Sequence, residues 1–182
     1  MKKEHYKRIE IPNEVQVEID GNKVKVKGKE GEIERDFKKN KIELKKENNT
    51  IIIGHKKATK KEKRIINSIA SHIKNMISGV QKKFEYKLKV VYSHFPISVE
   101  FKNENREFIV KNFLGEVKPR KTILPEGVEI EIEKDVIVVK SPNKELAGQV
   151  AAKIETLTKI KARDRRVFQD GIFIINKAGR EI

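Results

Sequence analysis

The sequence predicts an α+β protein of two tandem, duplicated small domains, each an antiparallel sheet plus one main helix. Three observations carry that prediction. Short stretches alternate apolar and polar residues, the period-2 pattern of half-buried strands. Two longer stretches repeat apolar residues at steps of three and four, which lines them along one face of a helix. The order strand, hairpin, helix then occurs twice, at a spacing of roughly 80–86 residues, too long for a solenoid unit. A chain of 182 residues has room for one large domain or two small ones.

In the first copy, Val15, Val17 and Ile19 alternate with Gln16 and Glu18. Asp20-Gly21-Asn22 reads as a turn, because Asp and Gly tolerate the positive φ of tight hairpins. Val24 and Val26 form the return strand. Ile42 and Leu44 open a further hairpin, Asn48-Asn49 turns it, and Ile51-Ile52-Ile53 closes it. A helix over residues 60–79 follows. Thr59 and Glu62 have capping-box spacing, in which each side chain satisfies a backbone N–H orphaned at the helix start. Ile65, Ile69, Ile73, Met76 and Val80 are expected to face the core, with Gly79 near the stop.

The second copy repeats the plan. Val99-Glu100-Phe101 answers Val17-Glu18-Ile19. Val110-Lys111 and Gly115-Glu116 answer Val26-Lys27 and Gly31-Glu32. Val128, Ile130 and Ile132 alternate with Glu129, Glu131 and Glu133. Lys134-Asp135 turns, and residues 136–139 return. Ser141-Pro142 is expected to open a helix over 142–158, with Pro at the first position, where its missing N–H costs nothing. Leu146, Val150, Ile154 and Leu157 supply its inner face. The domains are expected at 1–82 and 83–182. The strand at 86–91 follows too closely for a long linker, so a semi-rigid two-domain body is expected, with residues 1–8 and the last few as tails.

Charge narrows the function. Lys plus Arg number 42 and Asp plus Glu 27, a net +15 with a pI near 9.8. Such an excess repels itself unless a polyanion or counterions neutralise it. It is also clustered. Residues 55–64 hold six cations and one anion; residues 159–166 hold five cations around Asp164; residues 111–121 hold Lys111, Lys118, Arg120 and Lys121 against Glu116. Residues 126–135 instead carry five acids and one Lys. A domain polarised in this way docks in one orientation. Arg163-Asp164-Arg165-Arg166-Val167-Phe168-Gln169-Asp170-Gly171 mixes cations with one aromatic and a Gly, which suits a loop against folded RNA.

Catalysis finds little support. The chain has no Cys, so thiolate metal sites, disulfides and a cysteine nucleophile are out. An intracellular compartment fits. His5, His55, His72 and His94 show no metal spacing and are expected to be surface, packing or RNA-contact residues. Gly28 and Gly31 lack a nucleotide fingerprint. Ser68, Ser71 and Ser93 lack a nucleophile-elbow context. Glu129, Glu131 and Glu133 share one strand face, where nothing separates their acidities. No cofactor, metal, small-molecule substrate or membrane span is expected, and no enzyme activity.

Three segments carry a family resemblance: Val91-Tyr92-Ser93-His94-Phe95-Pro96, Asn112-Phe113-Leu114-Gly115-Glu116 and Arg166-Val167-Phe168-Gln169-Asp170-Gly171-Ile172-Phe173. The last resembles the R-x-F-x-D-G signature of the L-six (universal u-L-six) family of large-subunit ribosomal proteins, in its archaeal and eukaryotic form. Asn75-Met76-Ile77-Ser78-Gly79-Val80 is similar to the end of that family's first helix. Phe173 stands where the family often has Tyr, and the bacterial Tyr-Lys-Gly-Lys-Gly type of C-terminal motif is absent. The resemblance implies a cytoplasmic, ribosome-bound architectural protein that binds large-subunit ribosomal RNA near the factor-binding centre, beside neighbouring proteins at the stalk base. It implies RNA contact at Asn112, Lys118, Arg120, Lys121, Arg163, Arg165, Arg166, Lys177 and Arg180, with Lys60, Lys61 and Arg64 as weaker candidates in the first domain.

Phe168 reads either as core or as a base-stacking residue, with the core favoured. Asp170-Gly171 reads as a turn, and Gly115 as a bulge or a close approach to RNA, with the bulge favoured. Two rivals stand beside the ribosomal reading. One is a free-standing RNA-binding module, such as a chaperone or translational regulator. The other is a protein whose basic surface meets an acidic protein or an anionic membrane.

Overall fold

The structure is a computed structural model that describes residues 3–37 and 42–182. It divides into two compact units, Met1–Lys83 and Phe84–Ile182.

The first unit holds β1 (Lys3–Glu10), β2 (Gln16–Asp20), β3 (Lys23–Gly28), β4 (Gly31–Asp36), β5 (Glu43–Glu47), β6 (Thr50–Ala58) and α1 (Lys60–Gln81). Its strands form two antiparallel sheets, ordered β1-β6-β5 and β2-β3-β4. The alternation of Val17, Val24 and Val26 sends all three into the core, along with Ile51, Ile53 and the inner face of α1. The outward cations of β3 are paired across the ladder, Lys25 with Glu32 at 2.5 Å and Lys23 with Glu34 at 3.3 Å. The Lys25–Glu32 hydrogen bond lowers the Glu32 pKa and raises that of Lys25. The capping box forms as the spacing predicts: the Thr59 hydroxyl bonds to Glu62, and Thr59 N donates to Glu62 Oε2 at 2.8 Å. These bonds hold the Glu62 carboxyl down at about 2.

The second unit holds β7 (Phe84–Val91), β8 (Ser98–Lys102), β9 (Glu107–Lys111), a 3-10 turn (Phe113–Gly115), β10 (Arg120–Ile123), β11 (Glu129–Glu133), β12 (Val136–Ser141), α2 (Lys144–Leu157), β13 (Gly171–Lys177) and β14 (Arg180–Glu181). Its sheets run β11-β12-β7-β13-β14 and β10-β9-β8. The duplication is plain in these orders. β7-β12-β11 repeats β1-β6-β5, and β8-β9-β10 repeats β2-β3-β4. The β13–β14 hairpin is the addition, laid on the edge of β7 that its counterpart β1 leaves open.

Several expectations need correcting. Ile65 is 44% exposed, and Ile66 is fully buried in its place. The buried stripe is Ile66, Ile69, Ala70, Ile73, Met76, Ile77 and Val80; steps of about 100° per residue centre it near Ile66 and put Ile65 at its edge. Gly79 lies near the end of α1 as expected, but the helix runs two residues beyond it, to Gln81. Pro142 lies before α2, not in its first turn, because Asn143 is the cap and accepts from the N–H groups of Glu145 and Leu146. Residues 3–8 belong to strand β1; its cationic composition hid the pairing with β6. Residues 1–2 lie outside the described residues. At the other end, Arg180 and Glu181 form β14 rather than a tail.

Gly115-Glu116 does not answer Gly31-Glu32. Gly31 opens β4 directly after a two-residue connection, whereas Gly115 closes the 3-10 turn inside the longer β9–β10 loop. Nor is Gly115 a bulge. Asn112, Leu114 and Gly115 have φ of 57°, 50° and 77°, a left-handed run that coils the loop instead of extending it.

Candidate nucleic-acid interface

The second unit concentrates its positive charge around the C-terminal end of α2. Residues 158–170 form a loop tied down at both ends, by α2 and by β13, and not a free arm. Two grooves flank that helix end and share Thr156 and Lys159. The first, about 780 Å³, lies between β10 and α2. Arg120, Lys121, Lys153, Lys159 and Lys161 line it, and no carboxylate does. The second, about 730 Å³, lies against the 158–170 loop and includes Arg165, Lys159 and Phe173.

Arg120 organises this end of the molecule. Its Nε and one terminal nitrogen donate to the two oxygens of Glu116 at 2.8 and 2.5 Å. Its other terminal nitrogen donates to the Leu157 carbonyl at 2.9 Å, so a cation caps carbonyls that the helix leaves unpaired. Its guanidinium also lies 4.3 Å from the Phe113 ring centroid. The hydrogen bond from Arg120 lowers the Glu116 pKa. With every edge in use, Arg120 fixes the β9–β10 loop to α2.

The other candidate residues fall in several places. Lys121 pairs with Glu107 at 3.4 Å and borders the first groove. Lys118 is exposed on the β9–β10 loop, and Asn112 donates to the Pro96 carbonyl at 3.0 Å. Arg163 lies over the Phe168 ring at 4.8 Å. Arg165 is exposed. Arg166 makes a forked pair with Asp164, at 2.8 Å for the shortest contact, which lowers the Asp164 pKa and raises its own. Lys177 and Arg180 are exposed on the edge hairpin, roughly 20 Å along β13 from the loop. Lys60, Lys61 and Arg64 are exposed on the first turns of α1, in the other unit.

Sequence reasoning missed the unit that shapes the loop. Asp170 is 1% exposed and is no turn residue. Its carboxylate accepts the backbone N–H groups of Ser93 and His94 at 2.6 and 3.0 Å and the His94 Nδ1 at 2.5 Å. Burial raises its pKa, but the two backbone donors and His94 outweigh burial and bring it to about 2. The His94 ring stacks on Phe168 at 4.9 Å and 23°. Phe168 is therefore half-buried between internal partners and lies outside the apolar core cluster. The Ser-His-Phe and Phe-Gln-Asp-Gly segments contain these residues, but their pairing across 76 positions is tertiary.

Ser93, His94 and Asp170 form no hydrolytic triad. Ser93 Oγ and Asp170 both approach Nδ1 of His94, at 3.1 and 2.5 Å, whereas a relay needs the serine and the carboxylate on opposite ring nitrogens. Among the described residues no group of His, Asp and Glu is arranged to hold a metal. No helix among them is long and apolar enough to cross a membrane.

This is a protein of duplicated α+β units that presents a clustered basic surface. The family described as Ribosomal protein L6 matches residues 11–83 and 95–171 by its sequence model, one segment in each unit. The large ribosomal subunit protein uL6 of Staphylothermus marinus is 50% identical over 171 residues, covering 93% of this chain and 92% of that protein. The uL6 proteins of Methanococcus vannielii and Methanothrix thermoacetophila are 43% and 42% identical, covering 94% and 97% of this chain and 93% and 99% of theirs. The chain belongs to the ribosomal protein L6 family, whose members are structural and not enzymatic.

Proposed function

We propose that this protein is a structural constituent of the large ribosomal subunit, works in the cytoplasm as part of the ribosome, and binds large-subunit ribosomal RNA mainly through its second unit. The observation that carries this is the set of cations around the end of α2: Arg120, Lys121, Lys153, Lys159 and Lys161 on one side and Arg163, Arg165 and Arg166 on the other. Crowding them there repels, and phosphate oxygens relieve that repulsion while releasing counterions. Arg163 and Arg165 supply forked donors to phosphate, and Arg166, paired with Asp164, adds its remaining terminal nitrogen. Arg120, already satisfied, positions the β9–β10 loop that carries Lys118. Asn112 serves the same loop from its left-handed position. Lys177 and Arg180 extend the contact along the edge hairpin, and Lys60, Lys61 and Arg64 offer a weaker one from the first unit.

The family supports the finer placement, near the factor-binding centre and the stalk base, with neighbouring ribosomal proteins as further partners. The acidic β11–β12 hairpin suits a protein neighbour or solvent better than RNA. Sedimentation after a high-salt wash tests the reading. The protein is expected to stay with the large subunit and to shield a defined RNA fragment from nuclease. Release at moderate salt, with binding to many unrelated RNAs, would point instead to a free-standing RNA-binding module.

A further inference from the structure

The second groove holds more than phosphate contact requires. Phe173 and Val91 lie on one face of its sheet wall, diagonal across the β7–β13 register, each 37% exposed. Phe168, the other aromatic residue there, is already engaged by His94 and Arg163. The groove's two carboxylates are also engaged internally. Asp170 serves Ser93 and His94, and Glu155 Oε1 accepts the Ile174 N–H at 3.2 Å. The Thr158 hydroxyl donates to Glu155 O and accepts from Ile172 N. Gln169 donates its amide nitrogen to Arg166 O, which leaves the amide oxygen as an acceptor. Lys159 and Arg165 are exposed and make no ion pair among the described residues.

A ligand thus meets a flat ring, an aliphatic wall, two cations without ion-pair partners among the described residues and an amide acceptor. Paired A-form RNA offers phosphates, hydroxyls and shallow-groove base edges, but keeps its base faces stacked inside. An apolar peptide has no use for two unpaired cations. An unstacked nucleotide uses every part: its base face on the ring, its phosphate on the cations, its exocyclic amino group on the amide.

We propose that this groove holds one unstacked nucleotide of the bound RNA, with its base against Phe173 and its phosphate at Lys159 and Arg165. The proposal rests on the RNA-binding reading above and goes beyond it in naming the RNA feature recognised.

Chemical footprinting separates the two. The full chain is bound to deproteinised large-subunit RNA from an archaeal ribosome. Hydroxyl radicals then report the backbone, and dimethyl sulfate and carbodiimide report the bases. The parent is expected to protect one or two unpaired bases within its backbone footprint. Phe173→Leu keeps an apolar side chain without the flat face, and is expected to lose the base protection, to keep the backbone footprint, and to bind roughly five- to hundredfold more weakly. Phe173→Tyr is expected to restore the protection. Matching circular dichroism and melting temperature confirm that each variant is folded; if Phe173→Leu is not, Lys159→Ala and Arg165→Ala together must expose the same base. Undiminished base protection in Phe173→Leu overturns the proposal. A backbone footprint without any protected base overturns it and leaves RNA binding intact, and no footprint at all removes both. A photo-cross-linker at position 173 that joins a protein in the intact subunit gives the groove to that protein and also overturns it.

Discussion

Ile65 and Ile66 are neighbours in the chain with opposite environments, and the difference is measurable. Truncating Ile66 to Ala is expected to cost about 2–5 kcal/mol through lost burial and the cavity left behind. Ile65→Ala and Lys60→Ala are both exposed and should lie within about 1 kcal/mol of the parent. Urea unfolding of the three variants checks the order, and equal midpoints for Ile65→Ala and Ile66→Ala would show the stripe to be misplaced. Asp170 makes a second case. Its folded pKa is about 2 against an ordinary 3.8. A depressed carboxylate contributes stability above its unfolded value and loses it as pH falls through the folded value. The parent is therefore expected to lose its advantage over Asp170→Asn between about pH 4 and pH 2. Near pH 7, Asp170→Asn should be less stable by about 1–3 kcal/mol, since the variant gives up hydrogen bonds to a buried charge. Melting temperatures against pH test both statements, and parallel curves would contradict them. Glu62 shifts in the same direction, so α1 should also fray on acidification.

At the scale of elements, strands and hairpins with alternating Val and Ile were legible because each face has one solvent. Helix spans were legible to within a few residues, and the α1 cap was legible because Thr59 and Glu62 act locally. What failed was non-local. Cationic β1 is a strand because β6 pairs with it. β13 and β14 complete a sheet that begins at Phe84, far back in the chain. The α2 start was misread because Pro142 is a plausible first residue, but Ser141 and Asn143 hold the entry: Ser141 Oγ donates to Gly127 O at 2.9 Å and accepts from Asn143 N. Asn143→Ala should therefore destabilise the second unit by about 1 kcal/mol, the usual loss for a helix cap. Gly28 is a further prediction from close approach. A Cβ there would sit 2.7 Å from Val80 Cγ2 and 2.8 Å from the Val80 carbonyl oxygen. Because the backbone must move, Gly28→Ala should cost about 1–3 kcal/mol by overpacking, seen as a lower urea midpoint.

At the scale of the whole molecule, the basic patches were legible as composition, but their division of labour was not. Arg120 and Asn112 read as RNA contacts, and each is also bonded within the second unit, a fact no spacing reveals. Lys153 escaped notice because one Lys on a helix carries no signal until β10 lies beside it. Arg163, Arg165 and Arg166 share a loop held by Asp164, whose carboxylate accepts the Arg166 backbone N–H at 2.9 Å and its guanidinium at 2.8 Å. Asp164 shapes that loop, so Asp164→Ala is expected to weaken RNA binding despite removing an anion.

RNA binding through the second unit is tested most sharply by its salt dependence. Binding to large-subunit RNA is measured for the parent and for a variant with Arg163, Arg165 and Arg166 all changed to Ala. Removing one phosphate partner should reduce the slope of log affinity against log salt by about 0.7–0.9. The triple variant is therefore expected to bind more weakly, with a slope shallower by roughly 2–3 and with native helical circular dichroism. An unchanged affinity with an unchanged slope would contradict a role for this loop in holding RNA.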